Sequence, residues 1–341
     1  MSRQPHYSRG LSLIELMVAL VIGSILIIGA VTVYVQSRKT YSVNETVARL
    51  QENARYALSM IEPDLRLANH WGLTSDPLLI TGTVGSAPLG GAQLGNAGAC
   101  GAGFAIDLRR AVDGANDINE GNWPLAGGPP CNAAQGVRDG TDFVVVRRAD
   151  TQPVVASDQR LQVFTTRAGA ASRIFRANTP PAPITNSPTF GPSAEIHDLI
   201  VRAYYIADGA VAQPGVPTLR RLDLQGGAGG PAFEDEEIMP GIENMQVQFG
   251  VDPGGPDTDG DGFPDFYTGV PTRYVNPGDP ILDTALVVTA RVWLLVRAEQ
   301  REVGFTDNNT YDFGTVVGYR PGDDFRRLLV SRTIQVRNTQ L

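Results

Sequence analysis

The sequence predicts an α+β protein: a long N-terminal helix, transmembrane and then amphipathic, packed on a β-rich globular head. Three observations carry this expectation. From Leu11 to Tyr34 the only charged side chain is Glu15. Beyond that segment Val43, Val47, Leu50, Ala54, Leu58, Ile61 and Leu65 recur at steps of three and four, with Glu45, Arg49, Glu52 and Arg55 between them. That spacing gives one apolar face to a helix. From about Leu73 onward the helical period gives way to short runs of β-branched and aromatic residues bounded by turn formers.

The first element is a basic leader, Arg3, His6 and Arg9, ending in Gly10. The apolar segment behind it would span about 36 Å as a helix, enough for a bilayer core of roughly 30 Å. A carboxylate in such a segment costs about 2.5–3.5 kcal/mol at the bilayer centre, so Glu15 reads as functional and needs a partner. Cutting after Gly10 would make Glu15 the fifth residue and create an amine at Leu11, and the partner expected for Glu15 is that amine on a neighbouring subunit. A cleaved secretory peptide fits less well, because the apolar run is too long and no small-residue cleavage site ends it.

Ser8-Arg9-Gly10-Leu11-Ser12-Leu13-Ile14-Glu15 resembles the class III signal of type IV prepilins and pseudopilins. The resemblance implies that a prepilin peptidase cuts after Gly10, that the new terminus at Leu11 is methylated, and that the apolar helix stays in the chain. Leu11 stands where the family usually has phenylalanine.

Charge and cysteine content narrow the class. The net charge is −8 and becomes −10 once Arg3 and Arg9 leave with the leader. That balance argues against nucleic-acid binding. Arg3 and Arg9 before the apolar segment are matched by Arg38 and Lys39 after it, so flanking charge sets no orientation. Cys100 and Cys131 lie in a loop-like stretch of Gly, Ala, Asn and Pro. In an oxidising compartment they are expected to pair, closing a loop worth roughly 3.5 kcal/mol in the chain-entropy model.

Along the helix, Pro63 removes one hydrogen bond and predicts a kink or break. Strands are expected at 142–148, 161–165, 198–206, 245–249, 285–296 and 328–336. The nearly continuous apolar run at 285–296 predicts a central strand covered on both faces. Residues 81–103 and 113–140 read as irregular surface. Glu234-Asp235-Glu236-Glu237 reads as a solvated acidic loop, and Trp71, Trp123 and Trp293 as core or rim residues.

The C-terminal third sharpens the resemblance. Leu50-Gln51-Glu52-Asn53-Ala54-Arg55-Tyr56-Ala57-Leu58 with Asp64-Leu65-Arg66 after it, Pro240 to Gly250, Ala290 to Arg297, and Phe325 to Asn338 are similar in order and character to PilW-type minor pilins. Residues 73–235 carry no such motif.

One loop suggests a cation. In Asp257-Thr258-Asp259-Gly260-Asp261-Gly262-Phe263-Pro264-Asp265, carboxylates alternate and a glycine follows at the sixth position, the pattern that curls around calcium. Asp257, Asp259 and Asp261 fall at positions one, three and five, the Phe263 carbonyl at seven and Asp265 at nine. Thr268 occupies position twelve, where a bidentate glutamate is expected. Asp265 or one of Asp252, Asp279 and Asp283 would then complete the shell. No nucleophile elbow, phosphate-binding glycine loop or Cys-x-x-Cys pair is present, and the spacing of His70 and His197 suits no metal site.

The expected organisation is a leader at 1–10, a transmembrane and fibre-core helix at 11–34, an amphipathic continuation at 35–70 and a β-rich head at 71–341. The resemblance implies a non-enzymatic minor pilin, held first in the bacterial inner membrane with its head in the periplasm and then in the pilus fibre at the cell surface. It would help prime assembly, with a place at the fibre tip, and would meet other minor pilins and the major pilin through its N-terminal helix. The alternatives are a type II secretion pseudopilin, and a membrane-anchored periplasmic enzyme or calcium-binding module.

Overall fold

The computed structural model describes residues 12–125, 127, 131–133, 135–167, 171–181, 186–187, 191–258, 260 and 264–338. The chain forms two compact units, Met1–Arg49 and Leu50–Leu341. Helix α1, Leu13–Leu67, begins in the first and ends in the second.

In the first unit the Glu15 amide donates to the Ser12 hydroxyl at 3.3 Å, satisfying one of the unpaired donors of the first turn. The side chains from Leu13 to Val35 are largely exposed, and this stretch is long and apolar enough to cross a membrane. Its serine and threonine hydroxyls need no outside partner. Ser24 donates to the Val21 carbonyl and Thr32 to the Ile28 carbonyl, both at 2.8 Å, so each is satisfied within its own helix.

In the second unit Leu50, Ala54, Ala57, Leu58, Ile61, Asp64 and Leu65 form the buried face of α1. The apolar stripe is therefore used from Leu50 onward, while Val47 is exposed. The helix runs through Pro63 to Leu67 without breaking, and Asn69, at φ +63°, turns the chain just past its end. A left-handed residue just past a helix is a common stop, and asparagine tolerates it.

The strands are β1 (Val112–Ile118), β2 (Thr141–Ala149), β3 (Gln162–Thr166), β4 (Arg173–Phe175), β5 (Asn186–Ser187), β6 (Gly191–Pro192), β7 (Ala194–Ala207) and β8 (Thr218–Gln225). Then follow β9 (Ala232–Pro240), β10 (Ile242–Asp252), β11 (Arg273–Val275), β12 (Leu286–Arg297), β13 (Tyr311–Phe313), β14 (Val316–Tyr319) and β15 (Arg327–Gln335). A seven-stranded sheet runs β1-β2-β7-β3-β4, with β8 and β9 branching from β7. A four-stranded sheet runs β11-β10-β12-β15. Every strand pair among the described residues is antiparallel, and β5–β6 and β13–β14 form two small ribbons.

Period-two alternation divides the core. Val144 and Val146 of β2 join α1, β10, β12 and β15 in one cluster. Phe143 and Val145 of the same strand enter a second cluster with Trp71, Leu94, Ile106, Leu125 and Tyr205. Strand β2 is consequently buried on both faces, as its Phe143-Val144-Val145-Val146 run implies.

All six expected strands are present, with ends shifted by up to four residues, and β12 is central as predicted. Its outer face is half-open at Thr289, Arg291 and Trp293, however, and covered only near Leu295. The segments read as irregular surface carry Leu94, Ala97, Cys100, Leu125, Cys131 and Val137 into the core, and all of β1 but Val112 lies within the second of them. The acidic run is strand β9, not a loop. Its charges are met from β8: Arg220 lies 3.0 Å from Asp235 and Arg221 2.6 Å from Glu236. Cross-strand pairing of opposite charges stabilises a strand that composition alone disfavours.

Candidate functional site

Asp64 is the unexpected feature of α1. It occupies a buried-face position, three residues after Ile61, and is 1% exposed. Its carboxylate receives Arg148 from β2 at 3.1 Å, Arg202 from β7 at 3.0 and 3.2 Å, and the Tyr204 hydroxyl at 2.6 Å. Arg202 also donates to Asp223 of β8 at 3.2 Å, and Arg221 links Asp223 to Glu236. Three arginines and three carboxylates so tie the helix to four strands of the larger sheet. Burial raises the Tyr204 hydroxyl well above its ordinary range, and the adjoining Asp64 charge adds to the shift. Burial opposes the charge on Arg202, but Asp64 and Asp223 outweigh it and raise its pKa. The expectation of an apolar stripe passed over Asp64, although a carboxylate in phase with buried positions was a visible sign.

A second buried network lies at one end of the smaller sheet. Arg327 of β15 donates to Glu243 at 3.0 Å and to Asp323 at 2.6 and 2.8 Å, and Arg138 lies 3.3 Å from Glu243. Asp307 accepts from Tyr311 at 2.9 Å. These contacts fasten the 299–326 excursion and its β13–β14 hairpin to the sheet. Another buried carboxylate, Asp142, accepts from the amides of Asp117 at 3.1 Å and Val247 at 2.7 Å, bridging the two sheets. Burial pushes its pKa up to about 7, despite the two donors that favour the ion.

Gly10 and Leu11 lie outside the described residues. Glu15 is exposed in the first turn of α1, where the positive end of the helix dipole favours a carboxylate. Cys100 and Cys131 form a disulfide with a Cα–Cα distance of 5.1 Å. The bond is buried in the second core cluster, beneath a Trp123 whose indole donates to the Cys131 carbonyl at 2.6 Å.

Of the proposed calcium ligands, Asp259, Asp261 and Phe263 lie outside the described residues. The base of the loop is closed by Gly255 donating to Phe266 at 2.8 Å and Asp265 donating to Pro256 at 3.2 Å. Asp265 turns back to accept from the Thr258 amide at 3.3 Å, and Asp257 accepts from Gly260 at 2.7 Å. Both carboxylates are thus turned onto donors of their own loop, and among the described residues no group of three or more acidic, histidine or cysteine side chains gathers to hold a metal. The supplementary ligands have other work. Asp252 accepts from Gly254, Gly269 and both the amide and hydroxyl of Thr268. Burial pushes its pKa up, and these donors more than reverse that shift. Asp279 caps a short 3₁₀ turn through Ile281, and Asp283 pairs with Arg110.

Residues 5–31 match the prokaryotic N-terminal methylation motif, and residues 203–338 match the type IV pilus-assembly protein W family. A type IV-like pilin from Thermus thermophilus is similar at 13% identity, over 59% of this chain and 81% of that one, with a TM-score of 0.26. No curated protein matches.

An apolar helix bearing the methylation motif, continued onto a β-sheet head, defines a type IV pilin-like protein. The match over residues 203–338, from within β7 to beyond β15, supports a minor pilin of PilW type.

Proposed function

We propose that this chain is a minor pilin that helps to prime pilus assembly and takes a place at the fibre tip. The observation behind this reading is the exposed apolar half of α1 with a single carboxylate in its first turn. Such a surface is stable in lipid or against other helices, and poorly stable in water. Cleavage after Gly10 by the prepilin peptidase and methylation of Leu11 yield the mature terminus. The helix then holds the chain in the inner membrane, with the head in the periplasm, until it exchanges lipid for helices of other minor pilins and the major pilin. In that exchange Glu15 selects register by pairing with a neighbour's terminal amine. The role is packing and electrostatics, without catalysis. The Asp257–Asp265 loop, with Asp259, Asp261 and the Phe263 carbonyl, holds calcium and stiffens the head.

Glu15→Ala tests the central step. The variant should be cleaved and inserted as before, since removing a charge eases insertion. It should be lost from the fibre fraction. Mass spectrometry of the mature terminus and quantification of the subunit in sheared pili would read both effects; unchanged incorporation would refute the pairing.

A further inference from the structure

The β11-β10-β12-β15 sheet turns one face to the core and the other outward. On the outward face Gln246, Gln248 and Gly250 of β10 lie beside Trp293, Arg291 and Thr289 of β12. Those three in turn lie beside Ser331, Thr333 and Gln335 of β15. The β13–β14 hairpin covers one end, where the Thr315 hydroxyl donates to Gln246 at 2.7 Å and Tyr311 and Phe313 pack with Leu295. At the other end Ser331, Thr333 and Gln335 are exposed, while Tyr274, Arg291 and Trp293 are half-buried.

An aromatic–cation stack is built into that open end. A Cβ on Gly250 would stand 3.2 Å from the Tyr274 ring and 2.3 Å from the Thr289 hydroxyl. The bare glycine therefore lets Tyr274 lie across the sheet, with its hydroxyl 3.3 Å from that of Thr289. Its ring centroid is then 4.3 Å from the Arg291 guanidinium, which is also 5.7 Å from the Trp293 ring. Arg291 Nε donates to the Thr333 hydroxyl at 3.3 Å. Arg202, Arg220, Arg221 and Arg327 all face carboxylates, but among the described residues Arg291 has no ion-pair partner.

We propose that this open end docks a carboxylate-bearing segment of a neighbouring pilin subunit's head. Arg291 would be the charge anchor, Tyr274 and Trp293 the flanking aromatics, and Ser331, Thr333 and Gln335 the polar rim. Tryptophan, tyrosine and arginine are the residues that most often anchor protein interfaces. A guanidinium already held between rings loses little further freedom on binding, and its planar fork suits a carboxylate. The uncompensated positive charge sets the chemistry of the partner. The proposal rests on the minor-pilin reading, since that reading supplies the neighbour.

The test uses the full-length chain in piliated cells, with Thr333→p-benzoylphenylalanine as a photo-cross-linker. Cleavage after Gly10 and presence in the sheared fibre fraction are scored separately. The expected result is an adduct with a second protein bearing an N-terminal methylation motif, mapped to a peptide containing Asp or Glu. Arg291→Gln should reduce the adduct about tenfold or more, the loss typical of removing an interface anchor. Combining Arg291→Glu with a carboxylate-to-arginine change in the mapped partner should restore it, which a merely structural role would not allow. An intact Cys100–Cys131 bond and unchanged protease resistance would show that each variant is folded. A chain that is processed and incorporated but gives no adduct overturns the proposal. So does an adduct with a glycan, a lipid or a protein lacking the motif, or one indifferent to Arg291→Gln. A chain neither cleaved nor found in the fibre refutes the pilin reading, and the docking surface falls with it.

Discussion

At the scale of single residues, Asp64 and Asp142 are two buried carboxylates held by different sets of donors. Asp64 is surrounded by donors, and removing it would leave Arg148, Arg202 and Tyr204 facing an empty site. Asp64→Ala should cost about 3–5 kcal/mol, the range for breaking a buried pair. Urea unfolding of the full chain in detergent would measure this, and a loss below 1 kcal/mol would show that the cluster relaxes freely. Asp142 has only two backbone donors against its burial, so its folded-state pKa of about 7 lies above the ordinary carboxylate value. The folded protein then holds a proton that the unfolded chain releases. Its contribution to stability is full below about pH 4 and is lost as pH rises through 7, at up to about 1.4 kcal/mol per unit. Asp142→Asn should remove that slope. Denaturation at pH 5 and pH 8 should show a smaller difference for the variant than for the natural chain; equal differences would mean that Asp142 is already ionised at pH 5.

Among the elements, the described residues from Leu94 to Val137 form only short helical turns and β1, yet carry a large share of the second core cluster. Its closure by Cys100–Cys131 holds that share in place. Cys100→Ser with Cys131→Ser should destabilise the protein by roughly 3.5 kcal/mol in the chain-entropy model. Calorimetry of the variant would check it, and an unchanged melting temperature would show that packing alone suffices. What could be read from sequence followed from period and run length. The helix declared itself by its apolar span and stripe, and β2, β7, β10, β12 and β15 by their β-branched and aromatic runs. Strands β8 and β9 were hidden because Arg220 and Arg221 are compensated by Asp235 and Glu236 only after pairing, which no local window reveals. The same limit concealed the site. Asp64 stood in phase with the stripe, but its partners lie 84, 138 and 140 positions away. The Arg291 stack likewise depends on Gly250 and Tyr274 meeting across strands.

For the whole molecule, calcium offers a test separate from pilus assembly. Binding to the folded state alone raises stability by about 2.7 kcal/mol when the ion is a hundredfold above its Kd. Extracellular sites commonly bind at roughly 10⁻⁴–10⁻³ M, so millimolar calcium should raise the melting temperature, and magnesium should do so less. Asp259→Ala with Asp261→Ala should abolish the shift without unfolding the chain in chelator. A melting temperature that ignores both calcium and chelator would reduce the loop to an acidic turn. The Asp64 cluster also has a mechanical consequence. Arg148, Arg202 and Tyr204 reach a single carboxylate from two adjacent strands, while Ile61 and Leu65 seat the helix on either side of it. Tension reaching this turn of α1 would be shared among these hydrogen bonds, because all of them end on one carboxylate. Rupture would then require several bonds to fail at once, so Asp64→Ala should lower the force needed to strip the helix from the sheet far more than the loss of one contact implies.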